Sequence, residues 1–579
     1  MHRPLIIVSI ILTSLLSGCA LNKATIKQVE QVIEVKKDST ITCASNEPNR
    51  CAIDTPFASQ FAMAQQESSN HVLLLDQGEE SLLLRLHMIR AAQQRIEIQS
   101  FIWVNDDAGH LVIRELLAAA KRGVKVKVII DQLFSMGNSW LVTDIATLHQ
   151  NLEFKLYNPV FQDAHTSAFE FFSAMACCMA RLNKRMHNKA FIVDNKYGIV
   201  GGRNYQDRYY DWDESFNYKD RDVLAIGDVV NDISVSFASF WNSPHVVPVE
   251  HLRDVSARIL NNEKSNIDWH QALPEKATRL LQQTTDLPHL IKIFFPNIIT
   301  VDRIEYFSDT HDKPFNKDAK STNKQLTQKI HQYFAAAKKK ILIQTPYLVF
   351  SRQARKTFKK LRRKNPELEF LVSTNSLAST DAYYVYAISF KYKRFYLKKL
   401  GMQIYEFKDR PDMIEAMFSP NSIDENTRFG MHGKSFVIDE YISMIGTHNF
   451  DPRSDVLNTE AGFVIESKEF ASLLSANIQT DMLDKNSWVV AAKEQIPFFS
   501  RISGVIATIS RKLPIFDIWP FRYSTSYQLK KGYPEVPANH PDFYQNYEPI
   551  GNFPNVDLSS KQIQTIIISA FAGFAEPVM

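Results

Sequence analysis

The sequence predicts an α/β protein made of two duplicated lobes. Three observations carry that expectation. Helix-like and strand-like segments alternate along most of the chain, which implies layers of helices on sheets. The alternation occurs twice. Two octapeptides, HNKAFIVD at 187–194 and HGKSFVID at 432–439, are near copies placed one in each half. A chain of 579 residues, 45% apolar and 22% charged, has material for about two to four domains with buried cores.

The chain opens with Arg3 and an apolar run from Leu5 to Leu16, too short for a comfortable membrane span but suited to a secretory signal. The small residues before Cys19 (Leu16-Ser17-Gly18-Cys19) resemble a bacterial lipobox, in which the cysteine is lipidated and becomes the mature N-terminus. The alternative is an uncleaved signal anchor. Residues 1–19 are therefore expected to be a lipoprotein signal peptide ending at the lipobox Cys19. The mature chain would be lipid-anchored through Cys19 in the bacterial cell envelope, facing the periplasm. Ala20 leaves outer-membrane sorting open. Residues 20–65 are polar and weakly patterned and read as a tether. Within them Cys43 and Cys51 form either a small disulfide loop or two free thiols. Cys177 and Cys178, in AMACCMA, read as small buried side chains.

The first lobe is placed at 66–265. ESLLLRLHMIRAAQQ (80–94) has helical spacing, RIEIQSFIWV (95–104) reads as a strand, GHLVIRELLAAAKRG (109–123) is a helix closed by Gly123, and VKVKVIID (124–131) is a strand. Residues 266–300 read as a connector. The second lobe, 301–485, repeats the order with IHQYFAAAKKK, ILIQTPYLVF, SRQARKTFKKLRRK and LEFLVSTN. DTHDKPFNKDAKSTNK (309–324) reads as a polar surface insertion. A C-terminal extension, 486–579, contains an amphipathic segment at 497–521. Phe498, Ile502, Val505, Ile509 and Leu513 form its apolar stripe, which suits either a membrane interface or the body of the protein.

The octapeptides carry the chemistry. Residues two apart on a strand share a face, so His187 points with Lys189 and His432 with Lys434. Each strand meets a short turn and a second strand, ending in Gly201-Gly202-Arg203-Asn204 or Gly446-Thr447-His448-Asn449. Asp194 and Asp439, with Gly201 and Gly446, are expected to shape these hairpins. Two lysines and two asparagines (Lys189, Lys434, Asn204, Asn449) would cradle one phosphodiester and offset its growing charge. One neutral histidine can attack phosphorus while the other protonates the leaving alcohol. A carboxylate should orient each imidazole. Glu460, in LNTEAGFVIE, and Asp222, in KDRDVLAIGD, both precede a short apolar strand and are read as equivalents, with Asp222 serving His187. Neither a CxxC pair nor a Cys/His grid suggests zinc. The net charge of +4 argues against a whole-protein nucleic-acid binder.

HNKAFIVD(x6)GGRN and HGKSFVID(x6)GTHN resemble the paired HKD motifs of the phospholipase D superfamily. RLNKRMHNK, TNSLASTDAYYVYA, GMQIYEFK and HNFDPRSDVLNTEAGFVIES extend the resemblance to its bacterial cardiolipin synthase C branch, over about 70–500. The resemblance implies two phospholipase D-type lobes, each a mixed β-sheet flanked by helices, with the active site at their pseudo-twofold interface. It implies phosphatidyl transfer through a phosphohistidine, with no metal or cofactor. His187 would be the nucleophile, His432 the acid and base, and the lysines and asparagines the phosphate holders. Phospholipids and their membrane are the implied partners, with no obligate protein partner. Hydrolytic release of phosphatidic acid shares the same intermediate. A nuclease and an inactive envelope lipoprotein are further alternatives. Gly202 and Thr447 depart from the serine found in many members.

Overall fold

The computed structural model describes residues 21–43, 52–62, 69–132, 139–167, 178–263, 271–316, 325–419, 426–494 and 523–556, with a few isolated positions between them. The leader with Cys19, the amphipathic segment 497–521 and most of 168–180 lie outside the described residues. Among the described residues no helix is long and apolar enough to cross a membrane.

Each lobe is built on one mixed sheet. From edge to edge the first runs Val246–Pro248, Leu152–Tyr157, Lys125–Asp131, Arg95–Ser100, Ala190–Val193, Tyr197–Gly201, Asp222–Ile226, His71–Leu75 and Ile298–Thr300. Its strands Arg95–Ser100, Lys125–Asp131 and Leu152–Tyr157 are parallel, because helices Asp107–Lys121 and Ser139–Thr147 cross between them. The remaining pairs are antiparallel.

The second sheet repeats this order. It runs Arg303–Ser308, Ala461–Glu466, Ile442–Gly446, Ser435–Ile438, Lys340–Gln344, Glu369–Asn375 and Met402–Phe407, then Ser487–Ala492, Ser524–Leu529 and Tyr547–Gly551. Lys340–Gln344 thus matches Arg95–Ser100, and the hairpin Ser435–Ile438/Ile442–Gly446 matches Ala190–Val193/Tyr197–Gly201. The duplication extends to the turns. Asp194 accepts the backbone N–H groups of Gln93, Gln94 and Arg95, and Asp439 accepts those of Lys338, Lys339 and Lys340.

The lobes share an apolar core. Ile129, Ile192, Val200 and Val223 of the first lobe belong to one buried cluster with Leu342, Val437, Ile445 and Phe463 of the second. Helices Val229–Trp241 and Lys468–Met482 contribute Phe237, Phe240, Phe470 and Leu474 to it. A buried ion network crosses the same boundary. Arg221 lies 2.6 Å from Asp76 and 2.8 Å from Asp481, and Lys219 lies 3.1 and 3.3 Å from the same two carboxylates. Removing one partner of a buried network leaves uncompensated charge. Asp481→Ala is therefore expected to destabilise the protein by about 3–5 kcal/mol, read as a lower urea midpoint.

Five expectations are corrected. The stretch taken as a tether contains helix Lys23–Lys36, which buries Val29 and Ile33 in the first lobe's core; two apolar residues one turn apart suffice to dock it. The connector belongs partly to the first lobe, since Ile298–Thr300 pairs with His71–Leu75. The C-terminal extension adds three strands to the second sheet, so that sheet does not stop at 485. The polar insertion begins inside the protein: Asp309 and Lys313 are buried, and Lys313 donates to Asp309 and to the Ser454 carbonyl. Among the cysteines, Cys43 and Cys178 are disulfide-bonded, so Cys178 is not an inert buried thiol.

Candidate active site

The site forms where the lobes exchange short strands. Arg185–Met186 pairs in parallel with Asn458–Thr459, and Arg428–Met431 pairs in parallel with Phe216–Lys219. The registers set Met186 against Thr459 and Met431 against Lys219. Each pairing is continued by backbone hydrogen bonding, from His187 N to Thr459 O (3.0 Å) and from His432 N and Gly433 N to Lys219 O (2.7 and 3.2 Å). One residue further along, His187 faces Glu460 and His432 faces Asp220. His187 Nδ1 donates to Glu460 Oε2 at 2.8 Å, and His432 Nδ1 donates to Asp220 Oδ2 at 2.5 Å. An ionised carboxylate only accepts, so the proton sits on Nδ1 and the lone pair on Nε2 of each ring.

Both carboxylates are held ionised. Their pKa values are lowered, despite burial, by the adjacent histidine and nearby cations. Glu460 also accepts from the Thr447 hydroxyl and anchors its own N–H on Asp309 at 3.0 Å. Burial drives His187 down to about 3, helped by Lys189 and opposed by Glu460. Burial lowers His432 as well, with Lys434 adding to the shift. Both rings are neutral near pH 7. Phe101 meets His187 edge to face at 4.8 Å, and Tyr209 does the same to His432 at 5.2 Å.

The lysines complete the set. Lys189 Nζ donates to the His187 carbonyl at 2.9 Å. Lys434 Nζ donates to the His432 carbonyl at 2.5 Å and lies 2.8 Å from His432 Nε2. Burial lowers Lys189 to about 7, with mutual repulsion by Lys434 as the next cause, and lowers Lys434 to about 8. An anion between these ammonium groups is held only while they carry protons. Affinity for a soluble diester that stays a monoanion, such as glycerophosphoglycerol, is therefore expected to fall as pH rises from 7 to 9, measured by calorimetry.

The family profile described as "Cardiolipin synthase, PLD-like domain" matches residues 86–241 and 330–482, one stretch in each lobe. The chain belongs to the phospholipase D-like family. It is 31% identical over 440 residues to an uncharacterised protein of Helicobacter pylori strain 26695, covering 73% of this chain and 82% of that protein. It is 31% identical over 408 residues to cardiolipin synthase C of Escherichia coli K12, covering 69% and 82%. Among solved structures, phosphatidylserine synthase of Haemophilus influenzae aligns at a TM-score of 0.47 and 16% identity, over 73% of this chain and 88% of that one.

In this phospholipase D-family enzyme one site assignment changes. Asp222 touches neither histidine: it accepts from Ser81, Arg85 and Arg203. The sheets give the correspondence of the two halves. Gly201 pairs with Asp222 and Gly446 with Gly462, so Asp222 corresponds to Gly462, and Asp220 corresponds to Glu460. The carboxylates also serve the opposite lobe's histidine. The departures from serine fit this exchange. A Cβ on Gly202 would lie 2.0 Å from Asp220 Oδ1, whereas Thr447 uses its hydroxyl to hold Glu460. Asn204 is buried and accepts from the Ile102 N–H at 3.0 Å. Asn449 is 8% exposed, and its Oδ1 has no hydrogen-bond partner among the described residues. Gly201 and Gly446 let strands close up, since an added Cβ would meet Asp222 Oδ1 at 2.1 Å and the Ala461 carbonyl at 2.4 Å.

Proposed function

We propose that the chain moves a phosphatidyl group from one phospholipid to the hydroxyl of another, in a cardiolipin synthase-type reaction through phosphohistidine on His187. The carrying observation is the pair of neutral, carboxylate-oriented imidazoles brought from opposite lobes beside two buried lysines. The likeness to the Escherichia coli cardiolipin synthase C supports the choice of substrate class.

His187 is assigned as nucleophile because no side chain hydrogen-bonds its Nε2 among the described residues, whereas Lys434 Nζ crowds the His432 ring, 2.7 Å from Nδ1 and 2.8 Å from Nε2. The Nε2 lone pair forms the N–P bond as the P–O bond to the headgroup breaks, and the leaving oxygen takes a proton from His432. The diester's negative charge raises the proton affinity of His432 enough to supply that proton. In the second half His432 takes the proton of the acceptor hydroxyl, whose oxygen forms the new P–O bond as N–P breaks. Lys189, Lys434, Asn204 and Asn449 hold the non-bridging oxygens.

A periplasm-facing lipoprotein anchored through Cys19 is the matching placement. Disulfides at Cys43 and Cys178 support an oxidising compartment.

The test is product identity. Purified protein is given labelled phosphatidylglycerol vesicles with and without phosphatidylethanolamine. Labelled cardiolipin is expected. Phosphatidic acid as the sole product, or cleavage of DNA in place of lipid, overturns the transferase reading.

A further inference from the structure

On the far side of the Tyr218 ring from His432 stands a carboxylate that the reaction above does not use. Asp381 lies in TNSLASTDAYYVYA, just before helix Tyr383–Phe395, and is exposed. Two tyrosines fix it: Tyr218 donates to Oδ2 at 3.0 Å and Tyr347 to Oδ1 at 2.8 Å. Tyr218 comes from the first lobe and packs its ring 5.1 Å from the His432 ring. One phenol ring thus separates Asp381 from His432, and the Asp381 charge raises the proton affinity of both His432 and Lys434. Burial and that same carboxylate hold both phenols well above their usual pKa, so they remain donors.

Asp381 makes no ion pair with a lysine, arginine or histidine among the described residues. A carboxylate has about four acceptor positions, and the tyrosines fill two. What remains is a rigid, solvent-facing acceptor with net negative charge beside a site built for an anion. Such a group opposes phosphate binding unless the ligand brings a donor to it.

We propose that Asp381, positioned by Tyr218 and Tyr347, is a headgroup subsite for a hydrogen-bond donor at the far end of the phospholipid headgroup, an ammonium or a hydroxyl. This rests on the phospholipid reading above and adds to it what the site selects. A headgroup with a donor engages the carboxylate while its phosphate engages the lysines. A headgroup of equal length without a donor leaves the carboxylate unpaired. Asp381 is thus a specificity residue.

Binding tests this without turnover. The methyl phosphodiesters of ethanolamine, glycerol and propanol, the last a propyl ester with no donor at either end, are titrated by calorimetry into the full-length protein, Asp381→Asn and Asp381→Glu. The wild type is expected to bind at least one donor-bearing diester about tenfold tighter than the propyl ester, the scale of one charge-assisted hydrogen bond. Asp381→Asn should reduce that preference below about twofold, while Asp381→Glu keeps part of it. Loss concentrated in the ethanolamine diester identifies an ammonium, and loss in the glycerol diester a hydroxyl. The inference falls if the wild type shows no preference, or if Asp381→Asn leaves the preference intact or weakens all three diesters equally. Selective binding without cardiolipin formation would overturn the proposed reaction and leave the subsite standing.

Discussion

His187→Ala is expected to lower phosphatidyl transfer by ~10⁴-fold or more, because it removes the atom that would carry the intermediate. A donor with an acidic leaving group, such as a p-nitrophenyl diester, separates the two histidines. That leaving group needs no proton, so His432→Ala should still form the N–P adduct and stall there. His187→Ala should form none. Intact-protein mass spectrometry under alkaline quench reads the adduct directly. An adduct on His187→Ala, with none on His432→Ala, reverses the assigned roles.

The next largest effect concerns the carboxylates. Asp220→Asn and Glu460→Gln should each lower turnover by ~10²–10⁴-fold, since an amide no longer fixes the Nδ1–H tautomer or stabilises the charged ring. Each damages the histidine of the opposite lobe: Asp220 acts on His432 and Glu460 on His187. Asp222→Asn should behave differently. It removes the anion between Arg85 and Arg203, both buried, and should appear as a lower urea midpoint with turnover kept within about tenfold. Equal loss of turnover in Asp220→Asn and Asp222→Asn would contradict this division.

Much of the scaffold was legible in the sequence because it rests on local patterns. The helix read at 80–94 is observed at Gly78–Ala91, and the strand read at 124–131 at Lys125–Asp131. The hairpins, and the turn-forming use of Asp194 and Asp439, follow from spacing within a few residues. The pairing of carboxylate with histidine does not. Asp220 and Asp222 stand two apart in KDRD, one just before a strand and the other its first residue. They are distinguished by strand registers, within each lobe and between Phe216–Lys219 and Arg428–Met431 across lobes. Asp309 was hidden for a related reason. Its polar neighbours suggest a surface loop, while its function is to hold the Glu460 backbone and the buried Lys313.

The exchanged strands have a consequence for descent. Each histidine depends on a carboxylate inherited with the other repeat, so selection acts on the diagonals, His187 with Glu460 and His432 with Asp220. A one-lobe ancestor would meet that requirement only as a twofold pair of identical copies, each lending its acid to its twin. Fusion of two such copies would release them from identity and leave only the diagonal partners to stay matched. The two diagonals now differ: a shorter acid stands behind a bare glycine on one, and a longer acid is held by a threonine on the other.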